Sequence, residues 1–209
     1  MSESYEKLRS DVVACKNCRL FEGTNNAVPG EGTIKADVLF IGEAPGKDED
    51  LQGKPFVGAA GKFLTKMIES IGLTRDDVYI TNIVKHRPPN NRDPLDDEVE
   101  ACWPFLVRQI EIIKPKLIVT LGRHSMNRFM PGLKISNVHG RAKRTKGIDG
   151  NMQVFLPLYH PASALYNPGL RDTLIRDMHK IPILLKKIEE SAAAGKEGDL
   201  KADEETIAV

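Results

Sequence analysis

The sequence predicts a single α/β domain: a four-stranded, mainly parallel sheet flanked by helices on both faces. Three observations predict it. Four short β-rich apolar runs recur along the chain, amphipathic helical stretches separate them, and the connections between them are short. With 209 residues, 41% of them hydrophobic, the chain is long enough to bury one core without disulfide staples and too apolar for wholesale disorder.

The elements follow in order. Residues 3–14 suit a short helix leading into Cys15. Residues 36–42 (ADVLFIG) form an apolar run ended by a turn-forming Gly, as in a strand buried on both faces. Residues 58–71 place Phe63, Leu64, Met67 and Ile71 at helical spacing, and 77–84 (DVYITNIV) form the second strand. Residues 94–113 read as a long helix with Asp93 as N-cap and Pro94 at its first position. The third strand is 116–122 (KLIVTLG), followed by a short helix over 123–130. A small hairpin is expected near 135–146, and the fourth strand is 153–159 (QVFLPLY). The last helix, 170–188, should kink at Pro182.

Composition narrows the function classes. No apolar run approaches a bilayer span, and the first residues lack a basic-then-apolar export pattern, so the expected compartment is the cytoplasm. Residues 189–209 carry seven acids against two lysines, a net of −5, which leaves 28 basic and 22 acidic residues (+6) on the rest. We therefore expect a domain over 1–190, an acidic, flexible tail over 191–209, and a body suited to a polyanionic partner.

Three cysteines, Cys15, Cys18 and Cys102, argue against a complete disulfide framework. Cys15 and Cys18 have chelate spacing, Cys102 offers a third thiolate, and His86, sixteen positions before it, offers a fourth ligand. Cys3His is an ordinary zinc set, and thiolates equally hold iron–sulfur clusters. Buried structural cysteines beside a solvent histidine are the plainer alternative. A centre here would staple the N-terminal helix to the body.

In open α/β sheets, ligands sit outside the carboxyl ends of the strands. Three segments rich in chemistry fall there: GEAPG (42–46), Asn82 and His160. GEAPG is neither a dinucleotide fingerprint nor a phosphate loop with Lys-Ser/Thr. Alone, it reads as a strand-ending turn with an exposed Glu.

Together these segments are more specific. Cys15-x-x-Cys18, GEAPG, GKPFVGAAG (53–61), TNIVKHRPPNNRDP (81–94), Cys102 and YHPASALYNPGLR (159–171) stand in the order and approximate spacing of the family 4 uracil-DNA glycosylases. The chain resembles that family from about residue 10 to residue 187. The resemblance implies a [4Fe–4S] cluster on Cys15, Cys18, His86 and Cys102, and hydrolysis of the N-glycosidic bond of uracil flipped out of DNA. The implied catalytic residues are Glu43, which orients or deprotonates water, and His160, which donates to the departing base. In the implied base pocket, Gly42 lies in the GEAPG turn, Phe56 stacks on uracil, Asn82 reads its edge, and Glu49 closes around C5. DNA contact falls to Leu165 as a wedge, with Arg141, Lys143, Arg144 and Arg171 on phosphates. The implied partner is uracil-containing DNA, met by a monomer.

One departure stands out: the family pattern has cysteine where this chain has His86. A related branch with Lys-His here traps its DNA covalently, through an inserted Arg-rich segment that RPPNNRDP lacks. Turnover without a covalent trap is therefore expected. Rival functions are a non-catalytic DNA-binding module of the same fold and a zinc-stabilised hydrolase of nucleosides or nucleotides.

Overall fold

The computed structural model describes residues 4–148, 150–193 and 205–207. In chain order, helix α1 (Tyr5–Val13) precedes a two-residue edge strand β1 (Glu31–Gly32) and strand β2 (Val38–Gly42). Helices α2 (Lys47–Gln52) and α3 (Ala59–Ser70) lead to β3 (Tyr79–Asn82), helix α4 (Asp96–Ile113) and β4 (Leu117–Leu121). Two short helices, α5 (Arg123–Phe129) and α6 (Ile135–Val138), precede β5 (Ala142–Lys146) and β6 (Met152–Leu158). Helices α7 (Ser163–Tyr166), α8 (Gly169–Met178) and α9 (Ile181–Ala193) follow, and β7 (Glu205–Ile207) ends the described chain.

The sheet order is β1-β3-β2-β4-β6-β5-β7. The four expected strands are its centre, β3-β2-β4-β6, and every pairing among them is parallel. Antiparallel strands β1, β5 and β7 extend the two edges. Because side chains alternate across a strand, apolar runs such as VLFIG feed both faces. Val38 and Phe40 pack with Phe63, Leu64 and Met67 of α3 and with Leu174 and Met178 of α8. Leu39 and Ile41 pack on the other face with Leu8 of α1, Leu106 of α4 and Met126 of α5. The segments leaving β2 and β4 thus diverge to opposite faces and open a crevice at the strands' carboxyl ends.

Three expectations are corrected. Helix α4 begins at Asp96 with Leu95 as N-cap, not at Pro94, because Glu98 folds back to accept from the Leu95 amide (2.8 Å) and grips Arg92 with both carboxylate oxygens. The expected hairpin is a helical turn (α6) followed by β5, which pairs with β6 instead; Gly140, at φ +66°, turns the chain between them. The kink at Pro182 is a full break: α8 ends at Met178, and α9 starts at Ile181 with the proline in its first turn, where a missing amide hydrogen costs nothing. The expected tail lies mostly outside the described residues, although α9 reaches Ala193 and residues 205–207 pair with β5.

Candidate active site

A cavity of about 340 Å³ opens at the carboxyl ends of β2, β3 and β6, and Glu43, Glu49, Phe56, Asn82 and His160 all line it. That volume sits at the small end of ligand sites. Residues 88–93 supply part of its wall, so the loop between β3 and α4 also shapes the pocket.

Gly42 and Asn82 are paired across neighbouring strands. A Cβ on Gly42 would lie 2.3 Å from Asn82 Oδ1 and 2.6 Å from the Phe56 ring, so only glycine lets both side chains close over this end of the sheet. Asn82 is buried, its Oδ1 has no hydrogen-bond partner among the described residues, and its main-chain carbonyl accepts from Lys85 Nζ (2.6 Å). An orphaned buried acceptor costs about 1–3 kcal/mol, which points to a donor arriving with a ligand.

Phe56 is held in the left-handed region (φ +51°), a strained conformation for a bulky residue. Its surroundings enforce it. Arg75, paired with Glu31 (2.7 Å), donates to the carbonyls of Pro55 (2.7 Å) and Phe56 (3.1 Å). Gly61, in the first turn of α3, allows that helix to touch the Phe56 carbonyl, which a Cβ would meet at 1.8 Å. The Phe56 ring is thereby placed 5.7 Å, centre to centre, from the His160 ring.

Two titratable groups of the pocket, Glu43 and His160, are pushed apart. Burial, reinforced by the charge of Asp93 and opposed by Arg123, raises the Glu43 carboxyl to about 7. Its Oε1 is buried and has no hydrogen-bond partner among the described residues. Burial lowers His160 to about 4, so its imidazole is neutral near pH 7. The Ala162 amide donates to His160 Nδ1 (3.2 Å), which assigns the ring proton to Nε2. A carboxylate poised near neutrality in one cavity with a neutral imidazole donor is an arrangement for general-base chemistry with stabilisation of an emerging anion.

Glu49 lines the cavity, but both its oxygens are occupied: Gly46, Val57 and Gly58 donate their backbone amides to it at 3.1, 2.8 and 3.0 Å. It therefore shapes the wall by tying the GEAPG turn to the Phe56 loop. Two residues of the site went unnoticed in the sequence. Asp93, read there as a helix cap, lines the cavity instead, and its Oδ2 lies 3.0 Å from His124 Nε2. His124 follows β4 directly and faces Glu43 Oε1 through Nδ1 at 3.9 Å. The rule that chemistry collects after parallel strands would have found it.

The expected DNA-contact residues lie apart from the pocket to different degrees. Leu165, on α7 shortly after His160, is 47% exposed. Arg171 is exposed and stacks its guanidinium over Phe63 at 4.9 Å. Arg141 stands just before β5, at the carboxyl end of β6; from there β5 runs antiparallel to β6, so Lys143 and Arg144 lie progressively farther from the pocket end. All three cysteines are free thiols. Cys15 and Cys18 pack against the buried cluster that contains Cys102, and the Cys102 thiol senses both electrostatically and bonds the Lys85 backbone. Arg19, next to Cys18, pairs with Asp97 in the first turn of α4, the helix that carries Cys102. His86 is buried, 6% exposed.

The family model described as the uracil DNA glycosylase superfamily matches residues 29–181. The chain is 54% identical over 185 residues to the type-4 uracil-DNA glycosylase of Sulfurisphaera tokodaii, covering 86% of this chain and 84% of that protein. Against the type-4 uracil-DNA glycosylase of Archaeoglobus fulgidus the figures are 48% identity, 88% and 95%; against that of Thermotoga maritima they are 40%, 88% and 96%. The type-5 enzyme of Pyrobaculum aerophilum is more distant, at 29% identity over 179 residues.

Proposed function

The chain belongs to the uracil-DNA glycosylase superfamily, with the type-4 enzymes, and from that premise we propose how its pocket releases uracil from DNA. It is a hydrolase, a DNA N-glycosylase that leaves an abasic site. A base inside a duplex is out of reach, so the nucleotide must first be extruded, at a cost of a few kcal/mol. Leu165, exposed beside the His160 loop, is suited to wedge the gap, while Arg171 and the basic residues Arg141, Lys143 and Arg144 meet phosphates.

Phe56 stacks on the extruded ring and is indifferent to which base it is. Asn82 discriminates. Its unpaired Oδ1 accepts from uracil N3–H while its amide donates to O4; cytosine reverses both atoms and leaves the buried oxygen orphaned. Glu43 takes a proton from the attacking water as the bond between C1′ and N1 breaks, and its negative charge offsets the positive charge on the sugar. His160 donates from Nε2 to uracil O2 as the base leaves as an anion. The hydroxyl of the water ends on C1′ and its other proton on Glu43, and the enzyme turns over without a covalent adduct.

The single observation that carries this reading is the coexistence in one cavity of two orphaned oxygens, Asn82 Oδ1 and Glu43 Oε1, with a neutral imidazole. Formation of an alkali-labile abasic site in a uracil oligonucleotide tests it. Wild type should cleave and Glu43→Ala should lose 10²-fold or more; equal rates would refute the assignment.

We also assign a [4Fe–4S] cluster to Cys15, Cys18, His86 and Cys102. The donor chemistry fits: three free thiols share one side of the core, and the buried His86 follows Lys85, whose backbone bonds the Cys102 thiol. Among the described residues, no three of these donors lie within 4.8 Å of one another, wider than one tetrahedral zinc ion, with Zn–S of about 2.3 Å, holds its ligands. The cluster would staple the segment after α1 to α4. Thiols with a thiolate-bound cluster suit the reducing cytoplasm, and no helix of the described residues is long and apolar enough to cross a membrane. One chain supplies the whole pocket, which supports a monomer.

A further inference from the structure

Glu43 must shed the proton it takes from water. Its Oε1 meets no hydrogen-bond partner among the described residues, but it faces two titratable side chains, His124 and Asp93, with one ligand atom of each of the three residues within 4.8 Å of the others. His124 Nδ1 lies 3.9 Å away, a gap that one bridging water or a small rotation closes. His124 Nε2 has two partners: Asp93 Oδ2 at 3.0 Å and Arg123 Nε at 2.9 Å.

Those two partners are complementary. With a proton on Nε2 the ring donates to Asp93, and Nδ1 is free to accept from Glu43. With Nε2 bare the ring accepts from Arg123, and Nδ1–H points at Glu43. Each tautomer is therefore supported, which is what a ring that takes up a proton at one nitrogen and releases it from the other requires. Exposure rises from 23% at Glu43 through 36% at His124 to 61% at Asp93, so Asp93 is the most solvent-open of the three.

We propose that His124, oriented by Asp93 and Arg123, is a positioning residue of the reaction that carries the proton from Glu43 out to solvent. The proposal rests on the glycosylase reading and adds a residue to it. In the step, the Glu43 O–H bond breaks and an Nδ1–H bond forms; the Nε2 proton passes to the Asp93 carboxylate and then to bulk water. Glu43 returns to its carboxylate, Arg123 caps the bared Nε2, and exchange of both ring protons with bulk water, which the 36% exposed ring meets, restores the starting tautomer. The charges facing His124 are those of Glu43, Asp93, Arg123 and Arg128. Burial and the two arginines keep the ring readily deprotonated, while Asp93 favours its charged form.

The test is uracil release from a single-stranded oligonucleotide, followed from pH 5 to 9 for wild type, His124→Ala and His124→Gln. The expected result is a loss of roughly tenfold in both variants, with free imidazole restoring His124→Ala but not the bulkier glutamine variant. Circular dichroism establishes that each is folded, and the glutamine variant carries the test if the alanine one is not. A folded His124→Ala enzyme with wild-type rate and pH profile, or a loss that imidazole leaves untouched, overturns the proposal. Failure of the underlying reading would show separately, as absence of uracil release by the wild type.

Discussion

Gly42 and Asn82 face each other across two parallel strands at a distance that excludes even a methyl group: a Cβ on Gly42 would stand 2.3 Å from Asn82 Oδ1. The strand end is therefore shaped by an absence of side chain, and the placement of the Asn82 amide depends on it. Replacing Gly42 with Ala must displace Asn82, the Phe56 ring or both. We predict a drop in kcat/KM of about 10²-fold, as misplacement by an ångström produces, with a stability loss of only about 1–3 kcal/mol. Single-turnover kinetics and urea melts separate the two effects.

The pH profile follows from the pocket's electrostatics. Glu43 acts as a base only when ionised, and burial raises its pKa to about 7, so the rate should climb as pH rises through about 7. His160, lowered to about 4, stays neutral over this range and adds no second inflection near neutrality. The same shift makes a stability prediction. An acid whose folded pKa lies above its unfolded value of 4.5 holds its proton more tightly when folded, so stability falls as pH rises between 4.5 and about 7. Glu43→Gln should be nearly inactive, yet melt higher than wild type at pH 8 and about equally at pH 4.

Lys85 is fully buried and donates to Thr81 Oγ1 (2.8 Å), Asn82 O (2.6 Å) and Gln109 Oε1 (2.7 Å). Methionine fills the same volume but leaves these acceptors without their ammonium donor. Lys85→Met should lower stability by roughly 2–4 kcal/mol and loosen Asn82 as well. Chemical denaturation measures the first effect, and the uracil KM reports the second.

The cluster assignment predicts about four irons and four acid-labile sulfides per chain, with a brown colour, in protein purified without oxygen. Chelation after oxidation should free the segment around Cys15 and Cys18, and hydrogen exchange in α1 should rise. A colourless protein with one zinc and no sulfide would count against it.

Much of this was legible in the sequence because buried parallel strands announce themselves: VLFIG, YITN and LIVTL need apolar residues on both faces, and their carboxyl ends mark the crevice where Glu43, Asn82 and His160 meet. The motif residues carried the pocket, since GEAPG and the His-Pro pair sit where a parallel sheet places ligands. What the sequence concealed depends on long-range side-chain geometry. Nothing local reveals that Glu98 would take over the cap of α4 and leave Asp93 to face His124. Nor does it reveal that Arg75, far along the chain, would hold Phe56 in a strained conformation. Glu49 was recognised as a pocket residue, but its three backbone partners come from two separate loops that only the fold brings together.

The central claim is that Asn82 reads the base while Glu43 does the chemistry, and the most direct measurement is the single-turnover release of uracil and of cytosine from matched oligonucleotides. Glu43→Ala should be slow on uracil with its preference over cytosine retained, whereas Asn82→Ala should narrow the uracil-to-cytosine ratio by at least tenfold. If Asn82→Ala keeps the wild-type ratio, or Glu43→Ala keeps the wild-type rate, the pocket does not work as described.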